Sequence, residues 1–379
     1  MSVADVAVVG AGIAGCAVAR ELAVRGVRVA LVDRAGVSEG TTGRGEGNVL
    51  ASDKDAGPEL ELTRHGLDVY RELQARLGEE ARIRRKGALI VHPDAGTWAA
   101  EPARLERLRA AGVIGELLDA DALRAEEPAL DGPVFGASWF PEDLQCDPAR
   151  IARALVREAV AAGAEVRLGC AVSRIAVEDG RVTGLDTAAG FVAAGAVVLA
   201  AGPWSAGLAS GAGLPLPLEP RKGQLVRLRG PRPDLIRHKV VDGSYLGSVM
   251  SGAAGLQVST VVETTWEGDV LVGSSRERRG FDLAVDPAVS EAMVARAGRL
   301  FGVLGALEVM GAWSGLRPWL PDHLPAIGPS AAVDGLWLAT GHEGAGVALG
   351  PVTGVVLAQA YCGEQPLIDL APFHPDRFG

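Results

Sequence analysis

Three glycines stand at the GxGxxG spacing in Gly10-Ala11-Gly12-Ile13-Ala14-Gly15, directly after the apolar run Val6–Val9. Each has its own job in that pattern. Gly10 permits a tight turn, Gly12 lets a pyrophosphate approach the backbone, and Gly15 lets the next helix pack close to its strand. The unpaired amides at the helix start, with the positive end of its dipole, supply an anion site. Asp33 lies 23 residues beyond Gly10, at the end of a second apolar run. A carboxylate there accepts hydrogen bonds from adenosine ribose hydroxyls and repels a 2′-phosphate. The chemistry indicated is dinucleotide binding; the pattern alone does not separate NAD from FAD, and it disfavours NADP.

Such a site needs a strand–turn–helix–strand unit to hold it. Asp5–Val9 reads as strand, Gly10–Gly15 as turn, the chain to about Arg25 as helix and Val27–Asp33 as strand. Helical periodicity follows in Leu60–Leu77, and a short strand in Ala88–His92. Asp147-Pro148 starts a helix with an Asp N-cap and Pro at the first helical position, running to Ala162 before Gly163 ends it. Glu165–Leu168, a turn at Glu178-Asp179-Gly180-Arg181 and the buried strand Ala196–Ala200 return to the first sheet. From about Arg221 to Ala312, alternating strands such as Leu225–Leu228, Gln257–Val262 and Val270–Gly273 suit a separate, mostly antiparallel sheet that roofs the site. Leu336–Thr340, a glycine cluster and a helix from about Pro351 to Tyr361 form a last strand–turn–helix unit. The expected fold class is α/β, α+β overall: a nucleotide-binding domain (1–83, 145–220 and 313–379) interleaved with an antiparallel substrate-binding domain (84–144 and 221–312).

Composition narrows the functions on offer. A chain of 379 residues, 48% hydrophobic and 22% charged, has the balance of an ordinary globular protein of two domains. Its net charge of −10 repels phosphate backbones, so Arg84–Arg85 and Arg278–Arg279 read as solvated loop charges and no nucleic-acid partner is expected. Cys16, Cys146, Cys170 and Cys362 form no CxxC pair, which argues against a metal site or disulfide framework and for a reducing cytoplasm. The apolar start lacks a basic leader, with Asp5 where positive charge belongs. Two charge-poor stretches, Thr187–Leu218 and Gly344–Gly363, are broken by glycine and proline, so no membrane span is expected.

Further segments recur in order along the chain: Asp33-Arg34; Thr41-Thr42-Gly43-Arg44-Gly45; Val197 through Ala200 to Ala201-Gly202-Pro203-Trp204-Ser205; Pro220-Arg221-Lys222-Gly223-Gln224; Gly315-Leu316-Arg317-Pro318 with Pro321-Asp322; and Gly341-His342-Glu343-Gly344-Ala345-Gly346. Together with the N-terminal glycine turn they resemble the FAD-dependent oxidoreductases of the D-amino acid oxidase, glycine oxidase and sarcosine oxidase superfamily, nearly end to end. Thr41–Asn48 and the Gly341–Gly346 segment are most similar to flavin subunits of D-hydroxyproline dehydrogenases, opine oxidases and hydrogen cyanide synthases.

The resemblance implies a Rossmann-like FAD-binding domain and oxidation of the C–N bond of a small amino or imino acid to the imine, with hydride passing to the flavin. D-amino acid, D-proline or hydroxyproline, sarcosine and glycine are the substrate types. Electrons then pass to O2 or to a protein or quinone acceptor, in some relatives through a partner subunit. FAD-binding residues carried over are Gly10, Gly12, Ile13, Ala14, Gly15, Asp33, Arg34, Thr41, Thr42, Gly43, Arg44, Gly45, Val172, Ala201, Gly202, Trp204, Gly315, Gly341, His342, Gly344, Ala345 and Gly346. Arg317 falls where the family grips the substrate carboxylate, a task suited to a planar guanidinium; the plain alternative is a structural pair with Asp322. His342 either stacks near the flavin or caps the turn. Tyr245, one of three tyrosines, either hydrogen-bonds substrate or is an ordinary half-buried tyrosine. Glu46 and Arg44 either touch ligand or are solvated loop charges.

Two departures stand out. Trp313-Ser314-Gly315-Leu316-Arg317 holds no cysteine for covalent flavin attachment, so non-covalent FAD is expected. Val270-Leu271-Val272-Gly273-Ser274-Ser275 holds no lysine of the kind that activates oxygen in sarcosine oxidases, which favours a dehydrogenase as much as an oxidase. An FAD hydroxylase is the competing enzyme class, opposed by Ile327-Gly328-Pro329 where a Gly-Asp pair belongs; a non-catalytic flavin-binding subunit is the competing non-enzyme.

Overall fold

The apolar run after Ala4 forms the strand expected of it. In the computed structural model, which describes residues 3–249 and 251–378, Ala4–Val9 lies inside a parallel sheet between Val29–Val32 and Gly190–Leu199. Glu165–Arg167 and Leu336–Thr340 extend this sheet on either side, still parallel, and Ala326–Pro329 pairs antiparallel with Leu336–Thr340. Parallel strands are covered on both faces, which is why these segments are unbroken apolar runs instead of alternating ones. The first half of Gly190–Leu199 pairs instead with Arg181–Thr187 in an antiparallel extension. Arg181–Thr187 pairs on its other edge with Val172–Glu178, and that hairpin turns at Asp179 and Gly180, both at positive φ (49° and 77°), the conformation a two-residue hairpin needs.

Helices Ile13–Ala23, Pro58–Leu77, Pro148–Ala161 and Gly346–Tyr361 contribute to one hydrophobic core with the first two strands. The N-cap at Asp147 is formed as expected, its carboxylate accepting the Arg150 amide at 3.0 Å, and Gly163 follows at φ 97°. The last helix departs from expectation. It starts at Gly346, with Pro351 inside it. A proline leaves the carbonyl four residues earlier without its helical donor. Here that carbonyl is Val347's, and the buried Tyr70 hydroxyl donates to it at 2.7 Å. Closeness to the first helix explains the glycines of this tail: a Cβ at Gly354 would lie 2.6 Å from the Ala17 carbonyl carbon. Glu343–Tyr361 is long and apolar enough to cross a membrane by composition, but 61% of that window is buried in the protein.

The second sheet has eight strands in the order Val309–Trp319, Glu219–Leu228, Val270–Arg276, Gln257–Thr264, Lys239–Asp242, Ala88–His92, Gly136–Phe140 and Glu116–Asp119. Every pair is antiparallel except Lys239–Asp242 with Ala88–His92. Val309–Trp319 pairs with Glu219–Leu228 along almost its whole length. The boundaries expected between 312 and 313 and between 220 and 221 therefore fall inside these two strands. Helices Ala95–Ala110 and Pro287–Ala297, unmarked in the sequence reading, accompany this sheet.

Candidate active site

The glycine turn is built as its spacing demands. Gly10 has φ 109°, and a Cβ there would sit 2.5 Å from the Ala200 carbonyl oxygen. Gly12 is the N-cap of the first helix, and the Ile13 amide donates to Thr42 Oγ1 at 3.0 Å. The two oxygens of Asp33 accept the Ala11 and Ala35 amides, each at 2.7 Å, so the acid braces two turns and keeps lone pairs for further donors. Arg34 lies 3.7 Å above the Trp204 ring, which stacks on Phe281.

These groups open onto a cavity of about 430 Å³. Its wall includes Gly10, Gly12, Ile13, Ala14, Asp33 and Arg34 from the first unit, and Thr41, Thr42, Arg44 and Gly45 from the following loop. Val172, Ala201, Gly202 and Trp204 line another side, with Tyr245, Gly315, Arg317, His342, Gly344 and Gly346. Four expected FAD-binding residues lie off the wall, for steric reasons. Gly15 packs against the turn, where a Cβ would come 1.9 Å from the Gly10 oxygen, and a Cβ at Gly43 would come 2.3 Å from the Ser38 carbonyl oxygen. Gly341, at φ 82°, makes the bend against Leu320, while Ala345 faces a separate recess of about 20 Å³ beside Lys54 and Glu59.

The loop after the second strand is laced to Val309–Trp319. Thr41 Oγ1 donates to the Leu316 carbonyl at 2.6 Å, Arg44 Nη1 to that of Ser314 at 3.1 Å, and Trp313 Nε1 to that of Arg44 at 2.9 Å. That strand carries Arg317. Its guanidinium lies over Gly223 on the neighbouring strand, where a Cβ would be 2.1 Å from Nη1. Nη1 donates to the Ser275 carbonyl at 3.0 Å, and among the described residues Arg317 enters no salt bridge. Asp322 is not its partner: Asp322 holds Arg377, at 2.6 Å. Burial, followed by the nearby Arg276 charge, pushes Arg317 down to about 10, which still leaves it protonated at neutral pH.

His342 also reaches the wall, with Nε2 hydrogen-bonded to Thr353 Oγ1 at 2.9 Å; burial pushes its pKa down to about 4, so it is neutral. The geometry is that of a turn anchored to the last helix. Next to it Glu343, at φ 45°, pairs with Arg221 at 2.6 Å and with His323 Nδ1 at 3.1 Å. Burial alone would raise Glu343; the His323 hydrogen bond and the charges of Arg276 and Arg221 hold it below the usual carboxylate range. The half-buried Tyr245 stands on Ser244–Val249 with Arg276 over its ring at 4.3 Å. Glu46 is no solvated loop charge, since it is half-buried against Lys239. Gly223, Arg276, Glu343 and Lys239 were not singled out from sequence as site residues. Only Gly223 and Glu343 fell within quoted motifs, and nothing local announces the other two.

An extended dinucleotide fits this cavity. Gly10 and Gly12 keep its floor free of side chains, and the starts of the Ile13–Ala23 and Gly346–Tyr361 helices both reach it with their dipoles. A glycine-turn parallel sheet joined to an antiparallel sheet that presents a cation defines a dinucleotide-dependent oxidoreductase. The chain belongs to the family of FAD-dependent oxidoreductases, DAO, whose profile matches residues 5–360. The dinucleotide is therefore FAD. Glycine oxidase of Pseudomonas aeruginosa is 32% identical over 98% of both chains. D-amino acid dehydrogenase of Cereibacter sphaeroides is 32% identical over 86% of this chain and 72% of its own. The crystal structure of glycine oxidase from Geobacillus kaustophilus superposes with a TM-score of 0.90 at 28% identity, covering 100% of this chain and 99% of that one.

Proposed function

We propose that this enzyme oxidises the C–N bond of a small amino or imino acid to the imine, with Arg317 holding the substrate carboxylate. The observation that carries this reading is a guanidinium on the cavity wall with one backbone hydrogen-bond partner and no salt bridge among the described residues. Taking such a charge out of water is unfavourable unless an anion answers it. A carboxylate supplies that answer through two parallel hydrogen bonds, which also orient the α-carbon. The named activities of the glycine oxidase and D-amino acid dehydrogenase relatives support the same substrate class. Bound FAD supplies the two-electron acceptor. Tyr245 shapes the side of the cavity near Arg317, and the Gly346 helix start turns its positive dipole end to the cavity, where it would stabilise negative charge on a bound, reduced flavin.

FAD is held without a covalent bond in this reading; no cysteine lines the cavity among the described residues. Strand Val270–Arg276 presents no lysine; Lys222 on the strand paired with it is held by Asp282 and Glu277, and Lys239, two strands away, is locked between Glu46 and Glu263. That supports a protein or quinone acceptor alongside O2. The four unpaired cysteines support a reducing cytoplasm. The test is anaerobic bleaching of the purified yellow protein by glycine, sarcosine, D-proline and D-hydroxyproline, followed by admission of oxygen. Bleaching by at least one is expected, and reoxidation in air tells an oxidase from a dehydrogenase. A flavin that none of a full amino acid panel reduces contradicts the reading.

A further inference from the structure

Among the charged side chains of the cavity wall, Glu46 has no task in the scheme above. Glu46 lines the cavity together with Arg317, Asn48 and Tyr245. Its Oε2 is occupied, taking both the Lys239 ammonium and Asn48 Nδ2, the latter at 2.7 Å. Its Oε1 has no hydrogen-bond partner among the described residues. The fold keeps room for that oxygen: a Cβ at Gly273 would come within 2.5 Å of it. Lys239 is buried, with Glu263 3.6 Å away on its other side. It thus fixes Oε2 and leaves Oε1, beside Gly273, without a hydrogen-bond partner among the described residues. Glu46 is close enough to Arg317 to act on it electrostatically. One cavity therefore offers a guanidinium with unused donors and a carboxylate with an unused acceptor.

We propose that Glu46 is the residue that selects for nitrogen: Oε1 accepts an N–H of the substrate amine or ammonium while Arg317 takes the carboxylate. The pair matches the two charges of an α-amino acid zwitterion, whose ammonium and carboxylate are borne on one carbon. An α-hydroxy acid can satisfy Glu46 only as a neutral donor, and a carboxylate with an ether oxygen at that place leaves it unanswered. This deepens the amino acid reading and rests on it. Discrimination by a buried group left unpaired is the strongest kind a small site can exert.

Glycine, sarcosine and proline serve as amine probes on the FAD-loaded enzyme. Acetate and tetrahydrofuran-2-carboxylate are the carboxylate-only counterparts, the second placing oxygen where proline has its N–H. Turnover gives KM and kcat for the amines, and perturbation of the flavin spectrum gives Kd for the others. In Glu46→Gln, KM for the amines should rise about tenfold or more, as for loss of a charge-assisted hydrogen bond, with a smaller change in kcat. Kd for the carboxylate-only ligands should stay where it was. The double variant Glu46→Gln, Lys239→Met removes both buried charges together and should show the same selective loss even if the single variant folds poorly. Unchanged KM for the amines, or an equal loss for both ligand classes, overturns the proposal. So does a wild-type enzyme that binds tetrahydrofuran-2-carboxylate as well as proline. A wild-type enzyme that binds neither class sinks the amino acid reading itself, a different result from the other three.

Discussion

Arg221 and Arg317 sit directly opposite one another on paired antiparallel strands, and the same residue type meets two unlike surroundings there. Arg221 is buried and answered on all sides, by Glu343 at 2.6 Å, the Ser251 carbonyl at 2.8 Å and Gln257 Oε1 at 3.2 Å. Arg317 has the Ser275 carbonyl and the cavity. A buried charge persists in a fold when it is paired or when function requires it. The first arginine is thus part of the structure that positions the turn at Glu343, and the second is the one we propose for a ligand.

The largest way to break this contrast is through stability. Arg221→Ala leaves Glu343 buried without its main cation and should cost about 3–5 kcal/mol in urea unfolding of the flavin-free protein. Arg317→Ala removes an unpaired charge and should cost well under about 1 kcal/mol in the same assay. Equal losses would erase the distinction. The rule behind it, that a buried polar group must be answered, also applies in the other half of the molecule. Tyr70→Phe strips the donor from the carbonyl that Pro351 orphans and should cost about 1–3 kcal/mol, read as a lowered urea midpoint. Smaller still is Gly223→Ala, whose Cβ displaces the Arg317 guanidinium but not that of Arg221: KM for the best substrate should rise about tenfold with FAD content unchanged.

The pH dependence sharpens the Arg221 side. Glu343 titrates below its ordinary value of 4.5 in the folded protein. Its contribution is therefore fully present above that pH and is lost as pH falls through the folded value. Unfolding free energies measured from about pH 6 down to about pH 3 should show a Glu343→Gln variant with a flatter acid limb than wild type. Parallel limbs would mean that Glu343, with its His323, Arg276 and Arg221 partners together, contributes nothing over that range.

Legibility in the sequence followed distance along the chain. The glycine turn, Asp33 and the Asp147 cap are local patterns, and each was found where its spacing placed it. Motif order carried Arg317 and the loop from Thr41 to the same cavity. What escaped depends on register between remote strands. The opposition of Arg221 and Arg317, the space above Gly223 and the Glu46–Lys239 link join residues 94 to 193 positions apart, and no local composition reports them. The last helix was shortened for a different reason: the rule that proline opens a helix is sound, but a tyrosine hydroxyl from another helix satisfied the carbonyl that the rule counts as lost.

The central claim is that Arg317 exists for a ligand carboxylate. Its most direct test is steady-state turnover of Arg317→Ala with the best amino acid substrate, alongside its bound FAD content. The account predicts full flavin binding and a kcat/KM lowered by roughly 2–5 kcal/mol of transition-state binding, about thirtyfold to several thousandfold. A variant that keeps both its flavin and its kcat/KM would contradict it.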